Sequence, residues 1–127
     1  MTLYDEIQKP TLLLDKATAK ANIRRMAQKA LTSGVGFRPH FKTHQSRSVG
    51  AWFREEGVRS ITVSSLDMAE YFAQDGWDDI TIAIPANLRQ SAGMDRLAGR
   101  IRLGLVGESP ETIQALGQAF THPVSLW

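Results

Sequence analysis

Cysteine is absent from this 127-residue sequence. Without a thiol, the chain can form neither disulfide bridges nor thiolate metal sites, and it has no cysteine nucleophile. Long apolar runs are also missing, because no stretch approaches the roughly 18 residues of a membrane span. The start, residues 1–10, lacks a basic segment followed by an apolar one, as a secretory leader would have. We therefore expect a cytosolic protein without a membrane partner.

A strong charge of one sign is missing too. Fifteen Lys and Arg residues face thirteen Asp and Glu residues, which leaves a net charge of +2. A nucleic-acid-binding domain usually shows a clustered basic excess, so we expect no nucleic-acid partner. Neither of the glycine-rich phosphate loops, GxGxxG and GxxxxGK, is present. The apolar fraction of 43% is that of an ordinary globular chain.

Short β-branched or aliphatic runs alternate with longer amphipathic stretches, as in βα units. GVRSITV recurs 19 residues later as GWDDITI, which indicates an internal βα repeat. Helix caps lie between the runs at Asp15, Ser65, Asn87 and Ser109. The predicted barrel strands are residues 36–42, 60–65, 79–85, 101–106 and 123–127, and residues 11–14 are predicted as one more strand before them.

Only one face of these strands is apolar. A doubly wound sheet needs apolar residues on both faces, whereas a (βα)8 barrel places its helices outside and tolerates polar groups inside, near its mouth. We therefore predict an α/β fold, a partial (βα)8 barrel with about five parallel strands and helices on one face. The predicted buried face comprises Phe37, Phe41, Ile61, Val63, Ile80, Ile82, Ile84, Ile101, Leu103, Leu105, Val124 and Leu126.

Basic residues concentrate where the first predicted barrel strand ends. Alternation places Arg38, His40 and Lys42 on the inward face, where Val, Ile or Leu is usual. Like charges nearby favour the neutral form of a lysine, and a neutral amine can attack an aldehyde to form a Schiff base. The same pattern is equally typical of solvated basic residues at a strand end, so the residues alone leave both interpretations open.

Other polar residues give weaker signals. His40 and His44 have a spacing that chelates metal on a helix, but on a strand they would lie about 13 Å apart. His122 is better interpreted as a loop residue, and we predict no metal site. Ser64 follows the second barrel strand and is placed to meet a ligand. Asp79 is interpreted as an ordinary solvated charge.

Three segments carry a resemblance to a known family: KPTLLLDKATAKANIRRMAQKA, FRPHFKTHQS and GVRSITVSSLDMAEYFAQDGWDDITIAIP. Together they resemble the N-terminal part of the D-threonine aldolase and D-serine dehydratase family, which are pyridoxal-phosphate enzymes of the alanine racemase fold type. The resemblance covers residues 9–127, and it implies that the predicted strand 11–14 is a short lead-in from a β domain and not part of the barrel ring. Gln45 departs from it, because the family commonly has another lysine there.

The resemblance implies that Lys42 is the catalytic lysine that holds pyridoxal 5'-phosphate as a Schiff base. Arg38 and His40 would assist Lys42, while Thr43, His44 and Ser64 would line the mouth, so that all six bind the cofactor. Residues 1–127 would form the N-terminal part of a barrel domain. The rest of the barrel, a C-terminal β domain and any divalent metal site of the full-length protein would lie beyond residue 127.

The function that the resemblance implies is retro-aldol cleavage or dehydration of a D-3-hydroxy amino acid. Two alternatives remain open, namely an amino-acid racemase on the same scaffold and a fragment that binds pyridoxal phosphate without turnover. Open strand edges at both ends of a half-barrel predict self-association, and the resemblance implies a homodimer for the full-length enzyme.

Overall fold

Four short strands form one parallel sheet. The computed structural model describes residues 1–127, apart from the side chain of Leu3. The strands lie side by side in chain order, each paired in parallel with the next. Their bounds are β1 Ile61–Val63, β2 Asp79–Pro85, β3 Arg102–Val106 and β4 Ser125–Leu126.

Five α-helices precede or connect the strands. They are α1 Lys16–Thr32, α2 Arg47–Glu55, α3 Leu66–Gln74, α4 Ser91–Ala98 and α5 Pro110–Ala119. Short 3-10 helices cover Leu3–Glu6, Phe41–Thr43 and Leu88–Gln90. The side chains of Asp15, Ser65 and Ser109 each accept a backbone N–H in the first turn of α1, α3 and α5, which confirms these predicted caps. Among the described residues, no helix is both long and apolar enough to cross a membrane.

The core lies on one face of the sheet. Ile61, Ile80 and Leu103 are fully enclosed there, and Phe72 and Leu116 cover them from the helices. The opposite face carries Thr62, Thr81, Gly104 and Ser125, which pair in register across the four strands. The prediction of an α/β partial barrel with helices on one face is therefore confirmed.

The predicted first strand, residues 36–42, is wrong in detail. Its pairing with β1 is a single isolated bridge between His40 and Thr62, and Phe41 already begins a 3-10 helix. Pro39 has no N–H to donate to a ladder, so regular pairing fails around it. The sheet thus has four strands and one bridge, where we expected about five strands.

The lead-in strand is also wrong, because residues 11–14 are outside every helix and strand. Leu12 is 93% exposed, since no described strand lies beside this segment to pair with it. Two residues of the predicted buried face are exposed as well. Ile84 lies beyond the end of β1, whose last residue Val63 pairs with Ile82, and Leu126 lies on the edge strand β4.

Candidate functional site

A row of small or polar residues crosses the face of the sheet that carries no helices. His40 pairs with Thr62, Thr62 with Thr81, Thr81 with Gly104, and Gly104 with Ser125. We call these five residues the inward row. A Cβ added at Gly104 would overlap the Thr81 hydroxyl, so only glycine fits beside Thr81. The inward row carries polar or small residues where a filled barrel would carry branched apolar side chains.

Lys42 lies just beyond the inward row, on the carboxyl side. It belongs to the 3-10 helix that follows His40, and its side chain is exposed. The preceding residue, Phe41, is fully buried and packs edge-on against Phe72 and Trp77, with ring centroids 4.9 and 5.1 Å away. This anchor fixes the turn, and the next side chain is left outside the core.

Hydrogen bonds and backbone conformation close the turn behind Lys42. The Gln45 N–H donates to the Phe41 carbonyl at 3.0 Å, and the Gln45 amide donates to the Lys42 carbonyl at 3.2 Å. Gln45 has φ +46°, in the left-handed region that glycine or asparagine usually occupies. The backbone that presents Lys42 is therefore held from both sides.

His40 faces the turn that carries Lys42. Its Nδ1 accepts the Lys42 N–H at 3.2 Å, which leaves the ring proton on Nε2. Burial lowers the pKa of His40, and the charge of Lys42 lowers it further. His40 is therefore mainly a neutral imidazole at pH 7, two residues before the exposed Lys42.

His44 packs into the aromatic core, not at the mouth where we predicted it. Its ring stacks on Phe53 and meets Phe41 edge-on, at centroid distances of 5.8 and 4.5 Å. Nδ1 accepts the Ser46 N–H, whereas Nε2 is enclosed without a hydrogen-bond partner among the described residues. Burial lowers the pKa of His44. The 3-10 turn rotates this residue away from the face that strand alternation would give it.

Arg38 lies at the opposite, amino end of the strands. Its guanidinium forms a salt bridge with Asp79, between Nη2 and Oδ1 at 2.7 Å, and Arg102 Nη1 lies 3.2 Å from the other carboxylate oxygen. We call Arg38, Asp79 and Arg102 the amino-end cluster. Asp79 is thus not the ordinary solvated charge that we predicted. Two features of the sequence point to this pairing. Asp79 alternates with Thr81 on the inward face, and it lies beside Arg102 at the start of β3.

Thr43 and Ser64 lie at the carboxyl end, as expected for mouth residues. The Thr43 hydroxyl donates to the His40 carbonyl at 3.5 Å, and Ser64 directly follows the last residue of β1. The structure therefore places Lys42, Thr43 and Ser64 at the carboxyl side of the inward row. It does not bring Arg38 or His44 to them.

Sequence reasoning missed one further inward residue, Trp127, although it alternates with Ser125. Its indole Nε1 would lie 3.1 Å from a Cβ added at Gly104. A groove of about 620 Å³ lies elsewhere, lined by α1 and by residues 35–37 and 55–60, none of them a predicted site residue.

His122 lies in the loop between α5 and β4, which hydrogen bonds attach to α4. Asp95 on α4 accepts the backbone N–H groups of Thr121 and His122, both at 2.9 Å, and its Oδ1 lies 3.1 Å from His122 Nδ1. These hydrogen bonds, above all the one from the His122 N–H, lower the pKa of Asp95 to about 2. Within the described part of the chain, no three His, Asp or Glu side chains come together as a metal site.

One-sided helices and an inward row with a lysine at its carboxyl end are the features of a partial (βα)8-type barrel. Among solved structures, an alanine racemase-like protein from Idiomarina loihiensis aligns with 97% of this chain at a TM-score of 0.83 and 24% identity, over 35% of its own length. D-threonine aldolase from Filomicrobium marinum aligns with 98% of this chain at a TM-score of 0.86 and 24% identity, over 35% of its length.

Two relatives are similar in sequence. D-threo-3-hydroxyaspartate dehydratase of Delftia sp. (strain HT23) is 33% identical over 122 residues, which is 93% of this chain and 32% of that protein. Its structure aligns at a TM-score of 0.86 over 95% of this chain. D-serine dehydratase of Dictyostelium discoideum is 30% identical over 86 residues, 64% of this chain and 22% of that protein.

These comparisons confirm the resemblance to the D-threonine aldolase and D-serine dehydratase family over this partial length. The chain spans about a third or less of the length of these relatives. No protein-family model matches the sequence.

Proposed function

We propose that this chain provides the cofactor-bearing lysine of a pyridoxal-phosphate enzyme that acts on D-configured 3-hydroxy amino acids. The observation that carries the proposal is the place of Lys42, an exposed lysine at the carboxyl end of the inward row whose backbone N–H bonds the neutral His40 ring. The carboxyl end of barrel strands is where this fold places its active sites.

The residues around Lys42 fit an aldehyde cofactor. Condensation requires an accessible amine, and among the described residues no carboxylate lies within salt-bridge distance of Lys42. Thr43 and Ser64 supply hydroxyls on the same side for hydrogen bonds to a polar ligand. When bound, pyridoxal phosphate supplies an electron sink for negative charge at the substrate carbon.

With the cofactor bound, we expect different roles for Lys42 and His40. Lys42 would hold the cofactor through Nζ and, with a substrate bound, would accept or donate a proton at Nζ. His40 donates through Nε2–H to a ligand or water, because its Nδ1 is occupied by the Lys42 N–H. The predicted cofactor contacts of Arg38 and His44 would require movements away from Asp79 and from the aromatic core.

Dehydration is the first choice of reaction. Both relatives with at least 30% identity are named as dehydratases, and their substrates, D-threo-3-hydroxyaspartate and D-serine, share a 3-hydroxyl and D configuration. Aldol cleavage rests on the fold likeness to a D-threonine aldolase, and racemisation on the likeness to a racemase-like protein. A fragment that binds the cofactor without turnover remains the alternative for the 127 residues alone.

A trapping experiment tests the role of Lys42. The purified chain is incubated with pyridoxal phosphate, reduced with borohydride and mapped by peptide mass spectrometry. We expect a reduced adduct on Lys42 in preference to Lys16 and Lys20, because those lysines lie on α1, away from the inward row. We expect little or no turnover of D-serine, D-threonine or D-threo-3-hydroxyaspartate by the chain alone.

Two substitutions control this experiment. Lys42→Arg keeps the charge but cannot form the adduct, so trapping at this position should disappear. Lys20→Arg retains a cation opposite Glu55 and should leave trapping on Lys42 unchanged. Equal labelling of all lysines in the parent chain would contradict the proposed function.

A further inference from the structure

Arg38 ties the segment that carries Lys42 to two neighbouring strands. Its Nη1 donates to the Ile61 carbonyl at 3.2 Å and to the Asp79 carbonyl at 3.5 Å, while Nη2 bonds the Asp79 carboxylate at 2.7 Å. One guanidinium therefore contacts the first residue of β1 and both the backbone and the side chain of the first residue of β2.

Few backbone hydrogen bonds join this segment to β1. Its pairing with β1 is one isolated bridge at His40, supported by the Thr62 N–H that donates to the Pro39 carbonyl at 2.9 Å. Pro39 has no N–H of its own to add. The side-chain hydrogen bonds of Arg38 thus replace ladder bonds that the backbone cannot make.

The hydrogen bonds of Arg38 are strengthened by partial burial and by charge. The Arg38 and Asp79 side chains are 31% and 19% exposed, so solvent screens their charges only partly. Charge-assisted hydrogen bonds from an arginine fork are stronger and more directional than neutral ones. Arg102, which is 76% exposed, places a second cation 3.2 Å from the other oxygen of Asp79.

We propose that Arg38 is a positioning residue for Lys42, with Asp79 as its anchor, and that it acts through the backbone of residues 38–42 without contacting the cofactor. An effect of Arg38 on the reaction of Lys42 with a cofactor rests on the proposed function of Lys42. The mechanical part of the proposal, that Arg38 fixes this segment, stands on the contacts alone.

Amide hydrogen exchange measures the mechanical part directly. In the full chain, Arg38→Met should speed exchange at Lys42, Gln45 and Thr62, whose N–H groups bond within or onto the segment, by at least about fivefold, the factor expected for one lost hydrogen bond. The rate of borohydride-trapped labelling of Lys42 by pyridoxal phosphate should fall by a similar factor, while labelling of Lys16 stays the same.

Arg54→Met is the matched control. Arg54 is 33% exposed, bonds the Asp75 carbonyl at 2.6 Å, and lies over the Trp77 ring on the helical side of the sheet. It should lower the melting temperature without changing exchange at those three amides or labelling of Lys42. If Arg38→Met unfolds the chain, Asp79→Asn carries the same test, because it keeps an acceptor oxygen and removes the charge.

The outcomes separate the two proposals. Labelled Lys42 in the parent chain, with unchanged amides and unchanged labelling in Arg38→Met or Asp79→Asn, overturns the positioning role and leaves the proposed function standing. Faster exchange in the variant, with no labelling of Lys42 in the parent, supports the positioning of the segment and contradicts the proposed function.

Discussion

His40 and His44 are four residues apart, yet their rings have different surroundings. His40 lies in the inward row and accepts the Lys42 N–H, whereas His44 is packed between Phe41 and Phe53. Burial lowers the pKa of both rings. Of the two rings, only that of His40 lies on the face of the sheet without helices, and that of His44 belongs to the core.

The burial of His44 predicts a pH-dependent stability. Its pKa is lower in the folded chain than the ordinary value of 6.5, so the unfolded chain binds the proton first as pH falls. The contribution of His44 to the free energy of unfolding is fully present above the pKa that this residue has in the unfolded chain, and it is lost as the pH falls below that value. We expect the melting temperature to fall between about pH 7 and 5, and His44→Phe to reduce this fall because it keeps the aromatic packing. Identical pH profiles for the two chains would contradict this cause.

At the scale of the element, the close contact of β2 and β3 depends on Gly104. Besides overlapping the Thr81 hydroxyl, a Cβ there would lie 3.1 Å from the Thr81 Cβ, which the backbone of β2 holds in place. Thr81 is only 8% exposed, so it has little room to move. Thr81 and Gly104 therefore fit each other as a pair.

Gly104→Ala should reduce the free energy of unfolding by about 1–3 kcal/mol, as overpacking of a tight contact does. Gly117→Ala is the matched change in α5, where a Cβ meets nothing within 4 Å. It should raise the free energy of unfolding by up to about 1 kcal/mol, because alanine favours a helix. Denaturant unfolding of both variants measures the contrast, and equal effects would contradict the packing argument.

At the scale of the whole molecule, the sheet is open at both ends. Residues 36–40 and β4 each have a strand neighbour on one side only, and Leu126 on β4 is 42% exposed. Unpaired edges and exposed apolar side chains favour association. We expect the 127-residue chain, studied by itself, to self-associate.

Sedimentation at several protein concentrations tests this expectation. The average mass should rise with concentration, and Leu126→Lys should shift the equilibrium towards the monomer, since an edge lysine opposes strand pairing. Lys substitution at Ile113, an exposed apolar residue on α5, is the control and should change the mass less. A chain that is strictly monomeric and folds cooperatively would contradict association through open edges.

The sequence predicted those parts of the fold that depend on local pattern. Alternation within each strand gives Thr62, Thr81 and Ser125 their shared face, and caps such as Ser65 and Ser109 follow from hydrogen bonding within one turn. The family motif identified Lys42 as the residue of interest, and the structure places it at the carboxyl end of the inward row.

The remaining features depend on contacts between distant segments. Asp79 meets Arg38 and Arg102 only because three segments align in register, which no single strand encodes. His44 departs from its predicted place because the chain turns after His40, where Pro39 has already weakened the strand. The alternation of faces that predicts an inward His44 does not apply, because Phe41–Thr43 form a 3-10 helix and not a strand.

The turn behind Lys42 determines how fast the Lys42 amine can change its position. Buried Phe41 on one side and left-handed Gln45 on the other leave the backbone little freedom, so the moving part is the lysine side chain itself. Rotation about side-chain bonds of an exposed residue takes picoseconds to nanoseconds, whereas loop rearrangements take nanoseconds to microseconds. Within this chain, we therefore expect the Lys42 amine to change position by side-chain rotation, on a time scale shorter than that of a loop rearrangement.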